Sequence, residues 1–99
     1  MSINSCYEAI GRYNALKVSL SNVVGQLNSA HSKLSPVPGT ILSAYSVNDN
    51  KTPIVGRVEA LDKDIADTAS YITKTIIPAI DRAIYQKRKE IIQLQQEGS

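Results

Sequence analysis

The feature that most constrains this chain is a seven-residue repeat of apolar side chains between residues 3 and 34. Steps of three and four residues alternate without a break, as they do along one face of an α-helix that packs against another helix. Lys17 and His31 are the polar members of this face, which we call the seam. Its other members are Ile3, Cys6, Ile10, Tyr13, Leu20, Val24, Leu27 and Leu34. The spacing predicts a first helix over residues 3–34.

A second column beside the seam widens the apolar face of this helix. We call it the flank column, and its members are Ala9, Leu16, Val23 and Ala30. A face that is wider than a two-stranded seam contacts more than one neighbouring helix. The flank column therefore predicts that the first helix packs against more than a single partner helix.

A second helix is predicted over residues 53–97. Thr52 and Pro53 are residue types that start helices, as the N-cap and the first helical residue. Pro78 lies inside the pattern, where a proline removes a backbone hydrogen bond and bends the helix. Around it the apolar spacing becomes four residues at each step, a phase shift in the repeat. The predicted apolar stripe is Ile54, Val58, Leu61, Ile65, Ala69, Ile72, Ile76, Ile80, Ile84, Ile91 and Leu94.

The two helices are joined by a predicted linker over residues 35–52, in one domain of residues 1–99. Ile41, Leu42, Tyr45 and Val47 need cover from water, so the middle of the linker is either a helical turn or a short extended piece. The second helix is the longer one. We therefore expect its last two or three turns to extend beyond the first helix of an antiparallel hairpin.

The composition argues against an enzyme, a metal site and a cofactor site. The chain has a single His and a single Cys, too few for a zinc site or a redox pair. Its glycines are scattered, so no phosphate-binding loop is present. For Cys6 we favour a small buried hydrophobic side chain over a nucleophile, and for His31 a hydrogen-bonded histidine over a ligand or pH switch.

Charged side chains favour neither nucleic acid nor a metal ion as a partner. The net charge is only +2, and nucleic-acid binders usually carry a strong basic excess. Three adjacent cations, Lys87, Arg88 and Lys89, are fewer than a phosphate-binding or lipid-binding cluster needs. The spacing of Asp62, Asp64 and Asp67 fits a solvated helix face better than a calcium loop.

No apolar run is long enough for a membrane span, and the N-terminus lacks the basic and apolar regions of a signal peptide. We therefore expect a cytoplasmic chain, unless a route that needs no cleaved signal exports it.

A lone hairpin of this size would leave the flanks of both helices in water. We therefore predict an all-α antiparallel hairpin that completes a four-helix-type bundle with a helical protein partner, and that is marginally stable or self-associating when alone. Lys17 on the seam either selects the register and partner or extends to solvent. The predicted partner-binding residues are Leu16, Lys17, Val23, Ile77, Ile84, Ile91 and Leu94.

A chain of about one hundred residues with two long helices and no signal peptide resembles the WXG100 (ESAT-6-like) superfamily of type VII secretion. This sequence has no Trp, so it lacks the Trp-x-Gly turn of that superfamily. In this respect it is more similar to the small helical partners of LXG-domain toxins in Gram-positive bacteria. That resemblance implies that the chain binds the helical N-terminal domain of a toxin, alone or with a second small helical protein, and makes the toxin competent for export.

The resemblance also implies an export signal of the form aromatic-x-x-x-acid. Tyr45 and Asp49 have this spacing in the linker. Ile77 and Asp81 have it on the second helix, with Ile in place of the aromatic residue. Two other classes remain open. One is a self-assembling structural subunit, such as a type III secretion needle protein, and the other is a cytosolic adaptor.

Overall fold

The computed structural model of the chain describes residues 2–44 and 52–98. These residues form a helical hairpin built from two long helical segments. In chain order, the elements are α1 (Ile3–Leu34), α2 (Val37–Ala44), α3 (Thr52–Tyr71), a π-helical turn (Ile72–Ile76) and α4 (Ile77–Glu97). The all-α fold and the bounds of the first helix are confirmed. Part of the predicted linker is itself helical, because α2 lies within it.

The residues form two compact units. Unit 1 comprises Met1–Asn22 and Ile72–Ser99, and unit 2 comprises Val23–Tyr71. In unit 1 the start of α1 runs antiparallel to α4. Cys6 contacts Glu90 near the end of α4, whereas Lys17 contacts Asp81 near its start.

Polar groups mark both ends of α1. The Ser2 hydroxyl accepts a hydrogen bond from the Ser5 backbone N–H at 3.1 Å, so Ser2 caps the first turn. At the other end, the Ser35 N–H donates to the His31 carbonyl at 2.9 Å. Pro36 follows, and its carbonyl accepts from the Thr40 N–H at 3.1 Å, within the first turn of α2. These backbone groups are therefore paired where the chain passes from α1 to α2.

The seam of α1 is confirmed along its whole length. Each of its ten positions from Ile3 to Leu34 is buried or half-buried. Cys6 is fully buried, and Lys17 and His31 are half-buried like their apolar neighbours. The seven-residue period thus identifies the inward face of α1, since this period keeps one face of a helix directed at its neighbour.

The core of unit 1 lies between the start of α1 and α4. Ile72, Ile80, Ile84 and Ile91 are each at most 7% exposed. The expectation that the last turns of the second helix extend beyond the first is therefore wrong. Ile91 is buried because the first turns of α1 lie beside the last turns of α4, where Cys6 contacts Glu90.

Unit 2 combines the second half of α1 with α2 and α3. Here the predicted stripe of the second helix is partly wrong. Ile54 and Leu61 are 41% and 51% exposed, whereas Val55, Val58 and Asp62 are half-buried. At each of the two exposed positions, the next residue along the chain faces inward instead: Val55 in place of Ile54, and Asp62 in place of Leu61. α2 packs against α3, so the helix within the linker supplies cover that α1 does not.

Pro78 is the second residue of α4, which follows the π-helical turn. If steps of three and four residues alternated along this helix, the inward position after Ile76 would be residue 79. The buried residue is instead Ile80, four residues after Ile76. A π turn has hydrogen bonds that span five residues, so it absorbs the additional residue. It also widens the backbone around Lys74, whose carbonyl would otherwise clash with the proline ring. The phase shift predicted at Pro78 therefore takes the form of a π turn.

Candidate functional site

The predicted partner-binding residues separate into an exposed group and a buried group. Leu16 and Val23, both in the flank column of α1, are 46% and 39% exposed. Ile84 and Ile91 are each 5% exposed, so their assignment to an open partner surface is wrong. They fill the core of unit 1 because the start of α1 covers them.

The other predicted partner-binding residues lie between these extremes. Ile77 and Leu94 are half-buried. Because each is partly covered within its own unit, neither has a free side chain of the kind that Leu16 presents. Within the flank column, the exposed apolar side chains of α1 are therefore Leu16 and Val23; Tyr7 and Val18 are exposed elsewhere on this helix, at 55% and 61%.

Lys17 forms an interhelical ion pair within unit 1. Its Nζ lies 2.5 Å from Asp81 Oδ1, and the two side chains are 32% and 54% exposed. The ammonium group thus leaves the seam and meets a carboxylate at the edge of the hairpin. This contact fits both roles considered for Lys17, because a long side chain can extend toward water and still pair with one specific residue.

Asp81 also ends one of the two export-signal candidates. Its carboxylate is occupied by Lys17, and the other end, Ile77, is half-buried. A receptor that reads this pair would first have to separate Asp81 from Lys17. The second candidate, Tyr45 to Asp49, lies outside the described residues.

The Cys6 thiol lies in a polar cluster where the start of α1 meets the end of α4. Its Sγ donates to Glu90 Oε2 at 3.6 Å, and the Lys87 ammonium lies 3.2 Å from the same oxygen. Burial raises the pKa of the Cys6 thiol, and the Glu90 carboxylate raises it further. The thiol therefore stays protonated at neutral pH, and the protonated form is a poor nucleophile. Its burial confirms the interpretation of Cys6 as a small buried side chain.

Unit 2 holds the other polar cluster, which is centred on Asp62. The His31 Nδ1–H donates to Asp62 Oδ1 at 2.6 Å, and the Ser35 hydroxyl donates to Asp62 Oδ2 at 3.4 Å. Asp62 is only 18% exposed at its side chain, so its assignment to a solvated acidic face is wrong. The hydrogen-bonded role expected for His31 is confirmed.

An open pocket of about 610 Å³ lies beside this cluster. It is lined by His31, Ser35, Pro38, Glu59, Ala60, Asp62, Lys63 and Ala66. Ser35 donates to the carboxylate and not to the imidazole, so His31 does not accept the serine proton as a general base would. The cluster thus joins α1 to α3 through partly buried hydrogen bonds.

The remaining aspartates of α3 lie outside this cluster. Asp67 forms an exposed ion pair with Lys63 at 2.7 Å, one turn earlier on the helix, and this contact raises the pKa of Lys63. Asp64 is exposed. Within residues 2–44 and 52–98, no three His, Cys, Asp or Glu side chains are placed to hold a metal ion.

Unit 1 also has a groove that the sequence pattern did not identify. It measures about 360 Å³ and is lined by Tyr7, Ile10, Arg88, Ile91, Ile92 and Gln95. Tyr7 and Ile92 are each more than half exposed. The seven-residue period indicated that Ile10 faces the second helix, but it did not show that Arg88 would lie on the same groove.

The comparisons with known proteins identify no relative. The chain matches no protein-family model, no curated protein sequence and no solved structure. Among the helices that the structure describes, none has the length and hydropathy needed to cross a membrane. The geometry of the exposed and buried surfaces is therefore the basis for the functional proposal.

Proposed function

We propose that this chain is a non-enzymatic binding partner whose flank column packs against the helices of a second protein. The observation that carries the proposal is the exposure of Leu16 and Val23, at 46% and 39%. Leu16 belongs to unit 1 and Val23 to unit 2. They are seven residues apart along α1, and each lies beside seam residues that are half-buried. An apolar column of this kind is typical of a helix that receives a further helix.

The exposed side chains provide a driving force for association. Full burial of a Leu or Val side chain contributes about 1.5–3 kcal/mol, so covering the exposed part of each contributes about 1 kcal/mol. A stable interface needs about 800 Å² from each partner. The partner must therefore extend along much of α1 rather than contact these two residues alone.

We further propose that the partner is the helical N-terminal domain of an LXG-type toxin of type VII secretion, and that the chain supports export of that toxin. Support comes from the resemblance described above and from the two long helices. An elongated helical partner would offer the matching apolar stripe that Leu16 and Val23 need.

Co-expression with the N-terminal domain of an LXG-type toxin tests the proposal. We expect the two proteins to purify together and the Leu16→Lys/Val23→Lys variant to lose the toxin domain. Ser19→Lys/Gln26→Lys is the matched control, because these residues are exposed on α1 with the same seven-residue spacing outside the flank column. If the control disrupts the complex equally, or if the wild-type chain never binds, the proposed function is wrong.

Two further measurements address export and the state of the chain alone. Secretion of the toxin should require this chain in a strain with an intact export machine and should stop when the machine is disabled. Circular dichroism and light scattering of the isolated chain should show marginal stability or self-association. A sharply melting, strictly monomeric chain would contradict the dependence on a partner.

A further inference from the structure

The groove of unit 1 combines an apolar floor with an exposed cation. Ile10 of α1 and Ile91 of α4 line it below the two exposed side chains Tyr7 and Ile92. All of these residues belong to the same compact unit. Exposed aromatic and aliphatic side chains beside a concave apolar floor are the features of an interaction surface.

The charge on the groove is positive, and it comes from Arg88. Its neighbours along the chain already have contacts. Lys87 lies 3.2 Å from Glu90, and the Lys89 ammonium lies 5.5 Å from the centre of the Tyr85 ring. Within the part of the chain that the structure describes, no carboxylate forms an ion pair with Arg88. A guanidinium group binds carboxylates through two parallel hydrogen bonds, so Arg88 favours an acidic occupant.

The backbone around the groove indicates the form of that occupant. Both sides of the groove are helices, α1 and α4. Helices pair their own backbone N–H and C=O groups, so the groove has no free strand edge to pair with an extended peptide. An occupant must satisfy its own backbone, and a helix that places apolar side chains on one face does so.

We propose that this groove binds an acidic amphipathic helix of a partner protein. Apolar side chains on one face of that helix contact Ile10 and Ile91 between Tyr7 and Ile92. A Glu or Asp at the edge of the same face pairs with Arg88. The inference goes beyond the proposed function, because it concerns other residues than the flank column and does not require the partner to be a toxin.

Two synthetic helical peptides provide the probe for the test. Both carry Leu at positions i, i+3, i+4 and i+7, and their flanks are Glu in one peptide and Lys in the other. Binding to the full chain is measured by fluorescence anisotropy, and the contact surface is mapped by NMR chemical shifts. We expect the Glu peptide to bind about tenfold more tightly, which corresponds to about 1.4 kcal/mol. The shifts should lie at Tyr7, Ile10 and Ile92.

Charge reversal provides the decisive comparison. Arg88→Glu should abolish or invert the preference between the two peptides. Arg82→Glu, which reverses an exposed arginine of the same helix outside the groove, should leave it unchanged. Both positions are exposed, so both variants should fold, which far-ultraviolet circular dichroism verifies.

Other occupants of the groove are outcomes that would overturn the proposal. A second copy of the chain would appear in sedimentation as a dimer that Tyr7→Lys dissociates. A lipid surface would appear as Arg88-dependent binding to vesicles of anionic lipid without binding of the Glu peptide. Equal binding of the two peptides, or shifts confined to other surfaces, would also overturn it. Retention of the toxin domain by the flank-column variant would overturn only the proposed function, so the two failures are distinguishable.

Discussion

Replacing Ile84 with alanine tests whether this residue belongs to the core or to an open partner surface. Ile84 is 5% exposed, and Ile92, eight residues later on the same helix, is 52% exposed. The substitution removes about three methylene equivalents, or about 2.4 kcal/mol of transfer free energy. The cavity left behind adds to this, so we expect Ile84→Ala to lower the free energy of unfolding by about 3–4 kcal/mol.

Ile92→Ala removes the same atoms from a side chain that is already half in water. It leaves no enclosed cavity, so we expect a loss of about 1 kcal/mol. Small domains unfold with about 5–15 kcal/mol in total, and the predicted marginal stability places the isolated chain at the low end of this range. Ile84→Ala should therefore bring the chain close to unfolding, whereas Ile92→Ala should not. Urea denaturation followed by circular dichroism measures both values, and an unchanged m value shows that each substitution changes the stability and not the surface exposed on unfolding.

The result would refute the assignment of Ile84 to the core if the two variants lost equal stability. It would also do so if the free energy of unfolding of Ile84→Ala lay within about 0.5 kcal/mol of the wild-type value, as is usual for surface substitutions. In either case, Ile84 would face an open surface in the isolated chain, as the sequence alone suggested.

Three further predictions concern polar groups. The raised pKa of Cys6 means that the folded chain holds the thiol proton more tightly than the unfolded chain. The contribution of the protonated thiol to the free energy of unfolding is therefore complete below about pH 8.5 and is lost as the pH rises further. Labelling of Cys6 by a thiol reagent at pH 8 should be slow until denaturant is added. A double-mutant cycle that replaces Lys17 and Asp81 with alanine should give a coupling of about 0.5 kcal/mol that weakens with salt, because both groups are partly exposed; a salt-independent value would contradict this. Asp62→Asn should cost about 1 kcal/mol in thermal or urea unfolding because it weakens hydrogen bonds to a charged acceptor, whereas Asp64→Asn should be neutral, and equal costs would place Asp62 in solvent.

Much of the candidate site depended on contacts that a single sequence does not show. The flank column was predictable, because Leu16 and Val23 repeat at the helical period beside a complete seam. The groove at Arg88 was not, because its two sides lie more than seventy residues apart in the chain. A periodicity shows which face of a helix is apolar, but it does not show which residue of a distant helix lies opposite.

The sequence by itself determined that the chain is helical, where α1 begins and ends, and which face of α1 is covered. These properties follow from local periods and from residue types that start or stop helices, so they need no information on distant contacts. Only the tertiary structure decided the register of the second helix. There Asp62 faces inward while Leu61 is 51% exposed. The helical period favours the column of Ile54 and Leu61, because the adjacent column of Val55 contains Asp62. Which column faces inward depends on what α1 and α2 present to α3. A carboxylate can face inward at Asp62 because His31 and Ser35 donate hydrogen bonds to it, and both donors belong to the other side of unit 2.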